Sequence, residues 1–115
     1  MTLEDRIAAA LGPFKTEQKR MFGGLCFMLN GNMLAGTFRN GLMVRIAKQD
    51  HGAAMKRPGA TPMIMKDRVM EGFILIESEA VAEEKDLKSW LDQALAYNAT
   101  LPPKSTKPAK KTTKR

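Results

Sequence analysis

Two side chains of this sequence have the chemistry of a nucleophile and a base, and each occurs once: Cys26 and His51. A thiolate becomes an effective nucleophile only when a base and an orienting group are brought beside it. The surroundings of the two residues argue for a structural role instead. Cys26 lies inside the apolar run Leu25-Cys26-Phe27-Met28-Leu29, and His51 stands in a polar stretch between Asp50 and Gly52. The expectation is a buried structural cysteine and a solvent-facing histidine, with no catalytic residue and no enzyme activity. One cysteine and one histidine also fall short of a structural zinc site and form no intramolecular disulfide, which suits a reducing cytoplasm.

Three other constellations invite chemistry more weakly. Met63, Met65 and Met70 cluster in a chain that holds nine methionines. Thioethers fill irregular gaps in cores, and they also make adaptable partner-binding surfaces or soft-metal sites; core filling is the expected role. Gly23-Gly24 follows Arg20, but the segment lacks the glycine spacing and the Lys-Ser/Thr pair of a phosphate loop. The carboxylates Glu77, Glu79, Glu83, Glu84 and Asp86 follow no EF-hand pattern and read as the solvated start of a helix. Neither a metal nor a cofactor is expected.

The strongest electrostatic feature is positional. Of the net charge of +7, six units lie in Lys104, Lys107, Lys110, Lys111, Lys114 and Arg115, a run with no acid. Residues 1–103 carry thirteen bases against twelve acids, a net of +1. The six terminal cations are therefore the candidate nucleic-acid contacts, attracting DNA phosphates without reading sequence. No helix-turn-helix or zinc module accompanies them. The N-terminus begins Met1-Thr2-Leu3-Glu4-Asp5, acidic where a secretory leader is basic, and no apolar run approaches the ~20 residues that span a bilayer. A soluble cytoplasmic protein without a membrane partner is expected.

The elements that position these groups can be read from period and turn chemistry. Thr2 followed by Asp5, with Leu3, Ile7, Ala10 and Leu11 at helical spacing, predicts a capped first helix stopped by Gly12-Pro13. Glu17 to Phe22 reads as an edge strand ended by a glycine bend. Asn30-Gly31 and Asn40-Gly41 each suit a two-residue type I′ turn, and together they predict a three-stranded antiparallel meander. In that register Leu29 pairs with Asn32, Phe27 with Leu34, Arg39 with Leu42 and Thr37 with Val44. One face holds Leu25, Phe27, Leu29, Leu34, Phe38 and Met43; the other holds Cys26, Met28, Met33, Ala35, Leu42, Val44 and Ile46. Since neither face is polar, one should be covered by helices and the other by a further element or a second subunit, which predicts a homodimer.

Downstream, Asp50 to Arg57 predicts one or two helical turns before Pro58-Gly59. Met63-Ile64-Met65 and the wholly apolar Gly72-Phe73-Ile74-Leu75-Ile76 predict two more strands, the second of them central. Leu87, Trp90, Leu91, Ala94 and Leu95 form one apolar stripe on a final helix beginning near Glu83-Glu84. The fold class is thus α+β: two layers, with N- and C-terminal helices on an antiparallel sheet of five to six strands. The domain is expected to occupy residues 1–103 and a disordered basic tail residues 104–115.

Several blocks carry a family likeness. Arg20-Met21-Phe22-Gly23-Gly24-Leu25-Cys26-Phe27, Asn30-Gly31-Asn32-Met33, Gly41-Leu42-Met43-Val44-Arg45, Pro62-Met63, Met70-Glu71-Gly72-Phe73 and Trp90-Leu91 through Leu101-Pro102-Pro103-Lys104 resemble the TfoX/Sxy N-terminal domain family. The likeness spans about residues 15–104. It implies the same α+β architecture, a bacterial origin and a kinship with regulators of competence for DNA uptake, which act alongside the cAMP receptor protein. It implies no catalytic or ligand residues. The function expected from residues and resemblance together is a stand-alone, non-enzymatic regulatory module acting through a protein partner. The alternatives are a DNA-associated regulator using its basic tail, and an uncharacterised enzyme.

Overall fold

The computed structural model describes residues 2–21, 23–39 and 41–102. The elements run α1 (Leu3–Ala10), β1 (Glu17–Met21), β2 (Gly24–Leu29), β3 (Asn32–Phe38), β4 (Gly41–Arg45), α2 (His51–Ala54), β5 (Ala60–Met65), β6 (Arg68–Ile76) and α3 (Glu84–Asn98). Short 3-10 turns precede α2 at Lys48–Asp50 and α3 at Ser78–Val81. The six strands form one sheet in the order β1-β2-β3-β4-β6-β5, antiparallel throughout. The α+β class, the meander and the interior place of β6 match the sequence-based expectation; the meander extends to β1 and so has four strands.

Helix α1 starts where the capping signal puts it. Thr2 Oγ1 accepts the Asp5 N–H at 3.0 Å and Asp5 Oδ2 accepts the Thr2 N–H at 3.3 Å, two otherwise orphaned donors satisfied reciprocally. Arg6 then ties α1 to the segment before α3, donating to the Val81 carbonyl at 2.8 Å and pairing with Glu84 at 3.3 Å. The other end of α3 is fastened by two asparagines. Asn98 Nδ2 donates to the Leu29 carbonyl at 3.1 Å, and Asn32 Nδ2 donates to the Pro102 carbonyl at 3.0 Å. The Asn98 Oδ1 is buried with no hydrogen-bond partner among the described residues.

All three helices lie on one face of the sheet. Ile7 and Leu11 from α1, Ala54 from α2, and Leu87, Trp90, Leu91 and Ala94 from α3 pack on Phe27, Leu34, Leu42, Val44, Ile74 and Ile76. Each large aliphatic or aromatic side chain so buried stabilises the fold by roughly 1.5–3 kcal/mol. Arg57, at the end of the α2 segment, lies 3.6 Å from the Trp90 ring centroid and donates to Ser89 Oγ and Gln93 Oε1, so the loop is stapled to α3.

The register departs from expectation at two places. Leu29 pairs with Asn32 across the Asn30-Gly31 turn, whose residues have φ of 56° and 80°, as a type I′ turn requires. One step further the pairing slips: Met28 faces Met33, but Phe27 faces Ala35, which leaves Leu34 as an extra residue in β3. The second hairpin closes on Phe38 and Gly41, so Gly41 belongs to the strand pair and not to the turn; Thr37 pairs with Leu42 and Ala35 with Val44. The shifted turn moves the second pairing by two residues and preserves its faces. The bulge moves β3 and β4 by one relative to β2 and exchanges them. Ala35, Leu42, Val44 and Ile46 therefore join Leu25, Phe27, Leu29 and Leu34 under the helices, and Phe38 and Met43 go to the opposite face.

Glycine permits the close strand approach beside the bulge. A Cβ on Gly36 would overlap the Leu25 carbonyl oxygen, and one on Gly24 the Thr37 carbonyl oxygen, both of them backbone atoms that cannot rotate away. Gly36→Ala is expected to destabilise the protein by about 2–3 kcal/mol in urea unfolding. Gly52→Ala, in α2 with nothing within 4 Å of the added carbon, should stabilise it by roughly 0.5–1 kcal/mol. Equal effects of the two substitutions would refute the steric account.

Candidate functional site

Among the described residues, the face opposite the helices is built from strands. Cys26, Met43 and Met63 are 0 %, 0 % and 1 % exposed, and around them lie the half-buried Met21, Met28, Met33, Phe38, Met65, Met70, Phe73 and Leu75. Among the described residues no helix contributes to this cluster. Seven of the nine methionines are gathered here, from all six strands, whereas the helix side holds leucine, isoleucine, valine and tryptophan. Met43 and Met63 fill a core as expected; the surrounding thioethers remain partly open to solvent. A surface of flexible, polarizable side chains can repack around apolar groups of varied shape.

Cys26 and His51 do not form a pair. The thiol is enclosed by the methionine face, and burial pushes its pKa up, the reverse of thiolate activation. His51 is half-buried and not solvent-facing: its Nδ1 accepts the Gly72 N–H at 3.0 Å. An accepting nitrogen carries no proton, so the neutral ring in this arrangement is protonated at Nε2. The contact supports an irregular stretch of β6, where Met70 to Phe73 stand opposite the single residue Met63 of β5. Gly72 has φ of 86° there, and a Cβ would lie 2.8 Å from the Ile46 carbonyl oxygen.

The Gly23-Gly24 segment opens a cavity of about 480 Å³ whose lining includes Glu4, Thr37, Arg39 and Ser78. Glu4 places a carboxylate in it: Oε2 accepts from Thr37 Oγ1 at 3.1 Å and lies 3.6 Å from Arg20, while Thr37 Oγ1 accepts the Leu25 N–H at 3.0 Å. The glycines thus seat a polar brace between α1, β2 and β3, and Arg20 is turned toward an acid. Of the acidic series, Glu84 pairs with Arg6 and Glu83 with Lys85 at 3.8 Å. No three Cys, His, Asp or Glu side chains converge as metal ligands among the described residues. No helix of the described residues is long and apolar enough to cross a membrane. Lys104, Lys107, Lys110, Lys111, Lys114 and Arg115 lie outside the described residues.

Two arginines emerge that the sequence did not single out. Arg45, the last residue of β4, has its guanidinium carbon 5.7 Å from the ring centroids of both Phe73 and Tyr97, and Arg39 lies 5.2 Å over Phe38. Arg45 faces Phe73 across the β4–β6 pair, a neighbour 28 positions further along the chain and so invisible to local pattern.

Such an arrangement defines a small α+β domain with a helix-covered sheet face and a methionine-rich one. The chain belongs to the TfoX N-terminal domain family, whose model matches residues 7–97 of the 115. No curated protein matches it.

The raised pKa of Cys26 has a thermodynamic consequence. Above the ordinary thiol pKa, near about 8.5, the unfolded chain releases a proton that the folded chain holds, so stability falls as pH rises. Between pH 7 and pH 9.5 the unfolding free energy should decline with a slope of at most about 1.4 kcal/mol per pH unit from this group. Cys26→Ala should flatten the decline, and parallel profiles for the two proteins would contradict it.

Proposed function

We propose that this TfoX N-terminal domain is a non-enzymatic regulatory module that acts by binding another protein through its methionine face. The observation that carries the reading is the composition of that face: seven methionines and a cysteine on a sheet surface to which no described helix contributes. A purely structural second core has no need to concentrate the most adaptable apolar side chain on one side of the sheet while the other side is aliphatic. The enzyme alternative needs Cys26 and His51 in one cavity, and the engagement of His51 by Gly72 speaks against it.

Photo-reactive methionine incorporated in cells tests the proposal. Crosslinks to a protein should map to Met28, Met33, Met65 or Met70, with few from Met55, which packs against the helix-side core. Crosslinks confined to Met55, or spread evenly, would defeat it.

A second reading rests on the terminal charge run. Six cations without an acid in the last twelve residues favour DNA association that is electrostatic and indifferent to sequence. Each phosphate neutralised steepens the log K against log salt slope by about 0.9. Duplex binding should therefore weaken sharply with salt and vanish when all six are replaced by Gln; unchanged binding by that variant would remove the tail from the account.

A further inference from the structure

We infer that the partner of the methionine face is an acidic amphipathic segment, its apolar side chains meeting the thioethers and its carboxylates meeting Arg45 and Arg39. The inference rests on the reading of this face as a protein contact surface and adds the charge and shape of what it binds.

Among the described residues neither guanidinium takes part in a side-chain hydrogen bond or an ion pair. Rings lie beside them, Phe73 and Tyr97 for Arg45 and Phe38 for Arg39, and a cation–π contact does not consume the N–H donors. The ion pairs among the described residues are Arg6–Glu84, Arg20–Glu4, Lys85–Glu83 and Lys88–Asp92, and none involves either arginine. A guanidinium that already rests against a ring loses less freedom than one free in solvent when it takes a carboxylate in its fork.

Arg45 also lines a cavity of about 440 Å³ with Lys48, Met70, Glu71 and Phe73, beside Val69. Val69 is 52 % exposed and pairs across the β5–β6 hairpin with Ile64, 53 % exposed. An apolar anchor therefore has a place next to the cation. By strand register Glu17 and Lys19 share the methionine face, lying opposite Met28 and Cys26. On the face and its rim the cations are Lys19, Arg39, Arg45, Lys48 and Arg68, against the acids Glu17, Glu71 and Glu77.

That imbalance selects among occupants. A second copy docking about a two-fold axis presents the same patch, so cations outnumber acids on both sides and the rims repel. Nucleic acid would satisfy the cations and leave the thioether centre against phosphate. A segment with apolar residues on one side and Asp or Glu flanking them satisfies both.

The test uses the full-length chain and fluorescence anisotropy. The probe is a labelled peptide of roughly 15 residues, long enough to form a helix on binding, with Leu at helical spacing and Asp or Glu elsewhere. Its comparison keeps the Leu positions and carries Lys in place of the acids. The acidic peptide should bind and the basic one should not. The double variant Arg39→Met, Arg45→Met should weaken acidic-peptide binding by about tenfold or more, equivalent to about 1.4 kcal/mol. A full-length variant with the six terminal cations replaced by Gln should bind within about twofold of the original.

Methionine-methyl resonances give a readout independent of the substitutions: Met28, Met33 and Met70 should shift on adding the acidic peptide while Met55 stays. Binding abolished by the tail variant, equal binding of both peptides, indifference to the double variant, binding of neither peptide, or a dimer that buries the methionine methyls would each overturn the inference. Methionine-face crosslinks accompanied by any of the first four outcomes would leave the contact surface standing and refute only its preference for acid. Crosslinks mapping elsewhere would refute both.

Discussion

Between Phe27 and Met28 the pairing of β2 with β3 slips by one residue, and the sorting of the chain's apolar side chains depends on that slip. Side chains alternate along a strand, so one inserted residue exchanges the faces of everything beyond it. Leu34 is the inserted residue, and with it Leu34 and Ala35 both join the helix-side core. Downstream of the bulge, Leu42, Val44 and Ile46 fall beneath the helices, and Gly36, Phe38 and Met43 fall with Cys26 and Met28. Without the slip both faces would be mixed. With it, one is branched and aliphatic and the other is sulfur-rich.

The two faces then serve different ends. Branched aliphatics and Trp90 interlock with the helices, where rigid shape complementarity is an advantage. Thioethers, with three rotatable bonds, suit a surface that must accommodate a shape not contained in the chain itself. The arginines at its margin extend the same logic to charge: aromatic rings lie beside their guanidiniums, while the ion pairs of the described residues lie elsewhere. On the helix side, by contrast, Arg6 and Arg57 have their donors occupied by Val81, Ala82, Ser89 and Gln93.

Local chemistry was the most legible part of the sequence. The Thr2–Asp5 capping box, the Asn30-Gly31 turn, the stripe from Leu87 to Leu95, the interior place of β6 and the edge strand before the glycines all stand where short-range rules put them. The hairpin after β3 misled because Asn40-Gly41 is a good turn pair, yet Arg39 takes the positive φ of 51° and Gly41 closes the strand pair. There the close approach of Gly41 to the Ile76 carbonyl, 2.6 Å from where a Cβ would stand, commits the glycine to the sheet. His51 read as exposed because its partner, the Gly72 N–H, is supplied by a strand formed much later in the chain.

By itself the sequence determined the elements, their antiparallel order in the meander and the family, since caps, turns and periodicity are interactions among residues a few positions apart. It also determined that two apolar faces would need to be satisfied. Only the tertiary structure decided which side chains share a face, because a single bulge, lodged where Gly36 lets two backbones meet, reverses the parity of every residue after it. The same holds for the methionine surface and its arginines: Met28, Met43 and Met63 become neighbours, and Arg45 meets Phe73 and Tyr97, through strand pairing and helix docking that no local pattern encodes.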